Sequence, residues 1–186
     1  MDFTFEKVQR IEEENIYRVS NVIDIYETDL FDDDDRNVEN LNILFQERMN
    51  QFIVQVDKSD KQSLKEELNS KNISYTIFDL GRNNIFFVFE SIRKEEVSYI
   101  INLFYSLSIE NAMAIICFGN CVSIKFEKIS QSKFMECLMG GCLVPQIKLV
   151  PSSACAFIRY DGALLTVASN DLNICNEFVG YKKMND

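Results

Sequence analysis

Apolar and polar positions along this chain repeat with two periods, and the switches between them mark out its elements. Phe52, Val54 and Val56 alternate with Gln51, Ile53 and Gln55, a period of two that predicts a strand with one face fully buried. Ser59-Asp60-Lys61-Gln62 has the spacing of a capping box, Ser59 capping the backbone and Gln62 reaching back. A helix is expected from there to about Lys71, with Leu64 and Leu68 on its inner side. Residues 73–79 and 85–90 read as strands, and Gly81-Arg82-Asn83-Asn84 between them is rich in turn formers, so the pair predicts a hairpin. Ser91 is placed to cap a second helix running to about Ser108, because Val97, Ile100, Ile101, Phe104 and Leu107 fall on one helical stripe.

Residues 112–118 form a continuous apolar run that fits a central strand. Gly119-Asn120 follows as a two-residue hairpin signal, since glycine tolerates the positive φ of primed turns. The expected partner, residues 121–127, alternates Val122, Ile124 and Phe126 against Ser123, Lys125 and Glu127. A third helix is predicted over residues 131–139, stopped by Gly140-Gly141. Pro145 and Pro151 bracket a short extended piece, 146–150, expected at a sheet edge because proline cannot donate to a ladder. Residues 154–160 and 163–168 flank Asp161-Gly162, the clearest hairpin turn in the chain, and a last helix is expected from Asn170 or Asp171 to Gly180. Toward the N-terminus, Val38, Leu41, Leu44, Phe45 and Met49 share one helical face. Residues 17–26 suit either a strand pair turning at Ser20-Asn21 or part of a helix beginning near Phe5. Their β-branched and aromatic content favours strands.

The rhythm is helix–strand–strand, repeated about three times, and residues 51–127 contain the ferredoxin-like order of elements. The expected fold is α+β: a mainly antiparallel sheet with helices packed on one face. A single domain over residues 1–186 is expected, made of an acidic portion (1–50), with a loop at 27–35 and a helix at 38–50, a ferredoxin-like-order core (51–127) and an added hairpin with a closing helix (128–186).

Charge changes the picture. Residues 1–40 hold thirteen acids and four bases, a balance of −9, whereas residues 41–186 hold sixteen acids and fifteen bases, a balance of −1. Six of the acids, Glu27, Asp29, Asp32, Asp33, Asp34 and Asp35, lie within nine residues and are expected to form a loop. The last of them suit the start of a helix, whose dipole stabilises a nearby carboxylate by about 0.3–1 kcal/mol. A helix entrance uses one or two carboxylates, not four in succession, and the rest repel one another unless a partner neutralises them. Phe31 inside this acidic segment is either a core plug or a contact residue. Glu12-Glu13-Glu14 reads as an ordinary exposed face.

Composition excludes several chemistries. The chain contains no histidine, which removes Ser-His and Cys-His nucleophiles and histidine metal ligands. Its six glycines are too dispersed for a phosphate-binding loop. An EF-hand loop started at Asp32 would need glycine and glutamate where Asn37 and Ile43 stand, so no metal site is expected. The six cysteines, at 117, 121, 137, 142, 155 and 175, lack the CxxC spacing of zinc knuckles and read as buried core thiols. No secretory leader and no membrane-spanning run is evident, which suits a cytoplasmic protein. The bases are scattered, which disfavours direct nucleic-acid binding.

The expectation is a non-catalytic acidic protein without cofactors. It would bind a basic protein partner through Glu27, Asp29, Phe31, Asp32, Asp33, Asp34 and Asp35. In composition and size the chain is similar to immunity proteins and antitoxins that neutralise basic nuclease toxins by occluding a basic cleft. The competing expectations are a small enzyme or ligand-binding domain with a pocket of Asp or Glu, and a structural homodimer subunit.

Overall fold

A computed structural model describes residues 3–8, 18–79, 85–110, 113–128, 143–159 and 163–171. Among these residues the chain forms β1 (Glu6–Val8), β2 (Arg18–Ser20), β3 (Asp24–Asp29), α1 (Asp34–Phe45), β4 (Met49–Val56) and α2 (Lys61–Ser70). It continues through β5 (Thr76–Asp79), β6 (Ile85–Glu90), α3 (Lys94–Ile109), β7 (Ala114–Gly119), β8 (Ser123–Lys128), β9 (Leu143–Lys148), β10 (Ser153–Arg159) and β11 (Leu164–Ser169). Eight strands make one sheet in the order β1-β3-β11-β10-β7-β4-β6-β5, antiparallel at every pairing. The fold is therefore α+β with a large antiparallel sheet. Its stretch β7-β4-β6-β5, with α2 and α3 as crossovers, follows the β-α-β-β-α-β order of ferredoxin-like units.

The helices lie on one face of this sheet. Leu41, Leu44 and Phe45 of α1, Leu64 and Leu68 of α2, and Val97, Ile100, Ile101 and Phe104 of α3 share one buried cluster with Phe52, Val54, Phe87, Phe89, Ile116 and Phe118. Phe52 packs within it against Phe89 at 5.2 Å and Phe104 at 6.2 Å between ring centroids. Each fully buried aromatic of this size contributes about 1.5–3 kcal/mol from removal of apolar surface from water.

The opposite face is covered as well. β8 and β9 pair antiparallel, β2 joins β9 in parallel, and this three-stranded sheet lies over Ile53, Phe86, Val88, Ile115, Cys117, Cys155 and Phe157. The alternation in residues 51–56 predicted one buried face for β4, yet Ile53 is fully buried and Gln51 nearly so. Gln51 is tolerated there because its amide accepts from Val122 N–H at 2.8 Å and donates to Val122 C=O at 3.4 Å. A buried amide is stable only when so satisfied.

This second sheet corrects the hairpin expected at Gly119-Asn120. Both edges of β7 are already taken, by β4 and β10, so the chain cannot double back beside it. It crosses to the other layer instead, and β8 pairs with β9. Gly119 has φ +80° and turns the chain hard against β10; a Cβ on it would sit 2.2 Å from the Ser152 carbonyl oxygen. Asn120 fastens the crossing, donating its N–H to Ser152 C=O at 2.8 Å and its side-chain amide to Pro151 C=O at 2.8 Å.

Residues 146–148, expected at an edge, lie in the middle strand of the small sheet. Proline is accommodated because β2 pairs only with Gln146–Lys148, leaving no β2 residue opposite Pro145. The strands read within residues 17–26 exist, but β2 and β3 belong to different sheets and do not form a hairpin. Asn21 (φ 63°) turns between them, its amide donating to Leu149 C=O at 3.0 Å.

Helix ends also differ from the pattern. The Ser59–Gln62 box is absent: α2 is capped at Asp60 without a side-chain bond, and Gln62 bonds Glu66 at 2.6 Å. Ser91 adopts φ 57° and caps nothing; α3 starts after Arg93, whose N–H is accepted by Glu96 at 2.9 Å. α1 begins at Asp34 and ends at Phe45, so Met49 belongs to β4. β5 and β6 pair as expected, as do β10 and β11. Their turns (80–84 and 160–162), the helices expected at 131–139 and beyond 171, and Glu12-Glu13-Glu14 lie outside the described residues.

Gly119→Ala is expected to lower stability by about 2–4 kcal/mol, from left-handed strain plus collision with a backbone carbonyl. Urea unfolding should show an earlier midpoint at an unchanged slope; a wild-type midpoint would refute the crossing geometry.

Candidate functional site

The six acids expected to form one loop are divided among three structures. Glu27 and Asp29 lie on β3, Asp32 and Asp33 in the connection, and Asp34 and Asp35 in the first turn of α1. Only residues 30–33 are irregular. This corrects the loop expected over 27–35: residues 24–29 alternate buried and less buried positions and pair along their whole length with β11.

Glu27 is taken by the interior. It pairs with Arg159 of β10, whose side chain is 2% exposed against 16% for Glu27. Thr166, its register partner on β11, donates a hydroxyl hydrogen bond to the same carboxylate at 3.0 Å. On its other side stands Glu6 of β1. Two carboxylates directly across a ladder repel, and the buried guanidinium offsets that repulsion.

Asp33 is the N-cap of α1, accepting Arg36 N–H at 3.1 Å. Asp34 accepts the hydroxyl of Tyr105, which reaches it from α3 at 2.6 Å. The same hydroxyl accepts from the Asn37 amide at 3.0 Å. Asn37 is fully buried and stitches the connection shut: it accepts Phe31 N–H at 2.9 Å and donates to Phe31 C=O at 2.7 Å. Burial raises Tyr105 most, and the bond to Asp34 adds to it, taking the phenol from 10.0 to about 12.

Phe31 is half-buried. Its ring stacks on Phe3 at 5.8 Å between centroids, and the Arg36 guanidinium lies 3.8 Å from its centre on a favourable cation–π approach. That places it at the margin of the helix-side core.

What faces solvent is an acidic rim. Asp29, Asp32, Asp33, Asp34, Asp35 and Glu39 are all exposed, and Asp29, Asp32, Asp35 and Glu39 form no ion pair among the described residues. Beside it an open cleft of about 400 Å³ is lined by Glu6, Glu27, Thr28, Asp29 and Phe31. A smaller one of about 260 Å³ lies at the C-terminal end of β4, beside Asp57, Asp60 and Glu110. Among the described residues, no group of three or more His, Cys, Asp or Glu is placed to hold a metal ion, and no helix is long and apolar enough to cross a membrane.

Asn37, Tyr105, Arg159 and Glu39 were not singled out by pattern. Asn37 sits inside a polar run, and Tyr105 lies one place beyond Phe104 of the apolar stripe, so only the packing of α1 on α3 reveals their contact. No protein-family model matches this chain, and neither a curated protein nor a solved structure matches it.

Removing the Tyr105 hydroxyl as Tyr105→Phe should cost about 1–2 kcal/mol. The raised phenol also sets a sign. Its contribution is complete below pH 10, where the unfolded tyrosine begins to ionise, and is lost as pH rises toward about 12. The stability gap between wild type and Tyr105→Phe should therefore narrow across that window in pH-dependent urea unfolding. Glu27→Gln should cost about 2–3 kcal/mol by leaving Arg159 without its carboxylate. The double variant Glu27→Gln/Arg159→Met should recover part of that loss. Full additivity of the two single changes would show that the pair is not coupled.

Proposed function

We propose that this chain is a non-catalytic, cytoplasmic inhibitor of the immunity or antitoxin kind, which neutralises a basic protein such as a nuclease toxin by covering its basic cleft. The observation that carries this reading is the way Asn37 and Tyr105 hold the β3–α1 connection while Asp29, Asp32, Asp35 and Glu39 stay exposed around it. A disordered acidic tail must lose conformational freedom on binding, whereas a stitched rim has already lost it. Clustered carboxylates of this kind raise the encounter rate with a basic partner by roughly 10–10³ at low salt.

The division of labour within the acidic segment narrows the binding residues. Asp33 and Asp34 serve α1 and Tyr105, Glu27 serves Arg159, and Phe31 is engaged by Phe3 and Arg36. Recognition then rests on Asp29, Asp32 and Asp35, with Glu39 one helical turn beyond Asp35.

The competing reading, a pocket using carboxylates, would act in the cleft beside Glu6 and Asp29. It has less support, because Glu27 there already neutralises an internal arginine.

The test is association with a panel of purified basic toxin nucleases, followed by stopped-flow at low and near-physiological salt. Asp29→Asn/Asp32→Asn/Asp35→Asn should slow association by about tenfold or more at low salt and flatten its salt dependence. The charge-matched control Glu90→Gln/Glu110→Gln/Glu127→Gln, at exposed sites elsewhere, should leave the rate near wild type. Equal slowing by both sets would reduce the effect to net charge, and an unchanged rate in the first would remove the rim from recognition.

A further inference from the structure

Cys117 of β7 and Cys155 of β10 are register partners on adjacent antiparallel strands. Directly opposed residues send their side chains to the same face, and both thiols are fully buried in the cluster between the two sheets. Which kind of antiparallel pair they form follows from their neighbours. Further along the same ladder, Asn120 donates its N–H to Ser152 C=O at 2.8 Å, so that pair is hydrogen-bonded. One step inward, Gly119 N–H turns to Arg48 C=O on the β4 side, and Ser153 C=O accepts from Asn170 N–H on the β11 side. The two kinds of pair alternate, so Cys117 and Cys155 form a non-hydrogen-bonded pair. Such pairs hold their Cα atoms about 4.5 Å apart with side chains at their closest. That lies inside the roughly 4.4–6.8 Å window that a disulfide spans.

A third thiol lies close by. Gln51 is the β4 partner of Cys117, and its side chain holds both backbone groups of Val122. This brings the chain back over Cys117 directly after the crossing and leaves Cys121 beside it, exposed. The expectation of buried thiols therefore holds for Cys117 and Cys155 and fails for Cys121. All three are free thiols.

We propose that Cys117 and Cys155 form a reversible cross-strand disulfide, loaded through the exposed Cys121 by a low-molecular-weight disulfide such as oxidised glutathione. The Cys121 thiolate attacks one glutathione sulfur, forming a mixed disulfide and releasing the first glutathione thiolate. Cys117 attacks Cys121 Sγ and expels the second glutathione thiolate, which takes up the Cys117 proton. Cys155 attacks Cys117 Sγ in turn, and its proton passes to the departing Cys121 thiolate. In sum, two protein thiols lose their hydrogens and one glutathione disulfide becomes two glutathione thiols.

Burial explains why an entry thiol is needed. Desolvation raises Cys155 to about 12 and holds Cys117 well above the usual thiol range, where charges on Cys155 and Cys121 raise it further. The attacking species is the thiolate, so the two buried sulfurs react slowly with any external disulfide. A relay makes each of their steps a local exchange. In a reducing compartment the thiol form is the resting state, and the bond would report oxidation. This inference is independent of the acidic rim.

The test uses the full-length protein in buffers of increasing oxidised-to-reduced glutathione ratio. Samples are acid-quenched, alkylated after unfolding, and mapped by mass spectrometry of proteolytic peptides. The expected result is a linked peptide pair joining Cys117 to Cys155, abolished by dithiothreitol and absent from both Cys155→Ser and Cys155→Ala. Cys121→Ser should slow its appearance severalfold without preventing it. Glutathione adducts on Cys121 with Cys117 and Cys155 both recovered as alkylated thiols would overturn the bond. A wild-type rate in Cys121→Ser would overturn the relay.

Discussion

The middle of the eight-stranded sheet is buried on both faces, and most of the remaining structure answers to that constraint. Helices cover one side and a second sheet the other, so β4, β6, β7 and β10 must be apolar at nearly every position. A polar group on such a strand has no water to turn to. Gln51 therefore closes on both backbone groups of Val122, and Arg159 on Glu27. These two arrangements also tie separate parts of the chain together, because each partner comes from a distant segment. Desolvation thus sets the partners, and the partners set the path of the chain.

The same logic sorts the acidic segment. Where β3 enters the sheet, Glu27 faces a buried guanidinium and is absorbed by it. Where the chain leaves the sheet, Asp33 and Asp34 meet the orphan N–H groups and dipole of α1 and the hydroxyl of Tyr105. The carboxylates left over face water, on and beside a short connection whose Phe31 N–H and C=O are both held by Asn37. A run of like charges is thereby converted into a fixed pattern. Recognition rests on that pattern in the function proposed above.

Much of the secondary structure was legible in the chain. The stripe Val97, Ile100, Ile101 and Phe104 marks α3, and the unbroken run around residues 114–118 marks a central strand, because burial imposes a period that survives in the sequence. Capping was less legible. Ser59 and Ser91 carry the right side chains at the right spacing, but the chain enters α2 and α3 one or two residues later, at angles set by packing. Of the acidic site, its location and its exposed carboxylates were visible. Its internal bookkeeping was not, since Arg159, Thr166, Asn37 and Tyr105 lie far from or hidden beside the residues they hold.

The class of fold, the positions of most strands and helices, and the concentration of negative charge before α1 can all be read from the chain without its folded form. These follow from local periodicity and composition, which act between residues close in the chain. Long-range packing is what sends β8 away from β7 into a second sheet and sets Cys117 opposite Cys155. It also decided which acids remain on the surface. Each of these depends on which strand edge or buried charge is already occupied when the segment arrives, and that occupancy is set by residues tens to more than a hundred positions away.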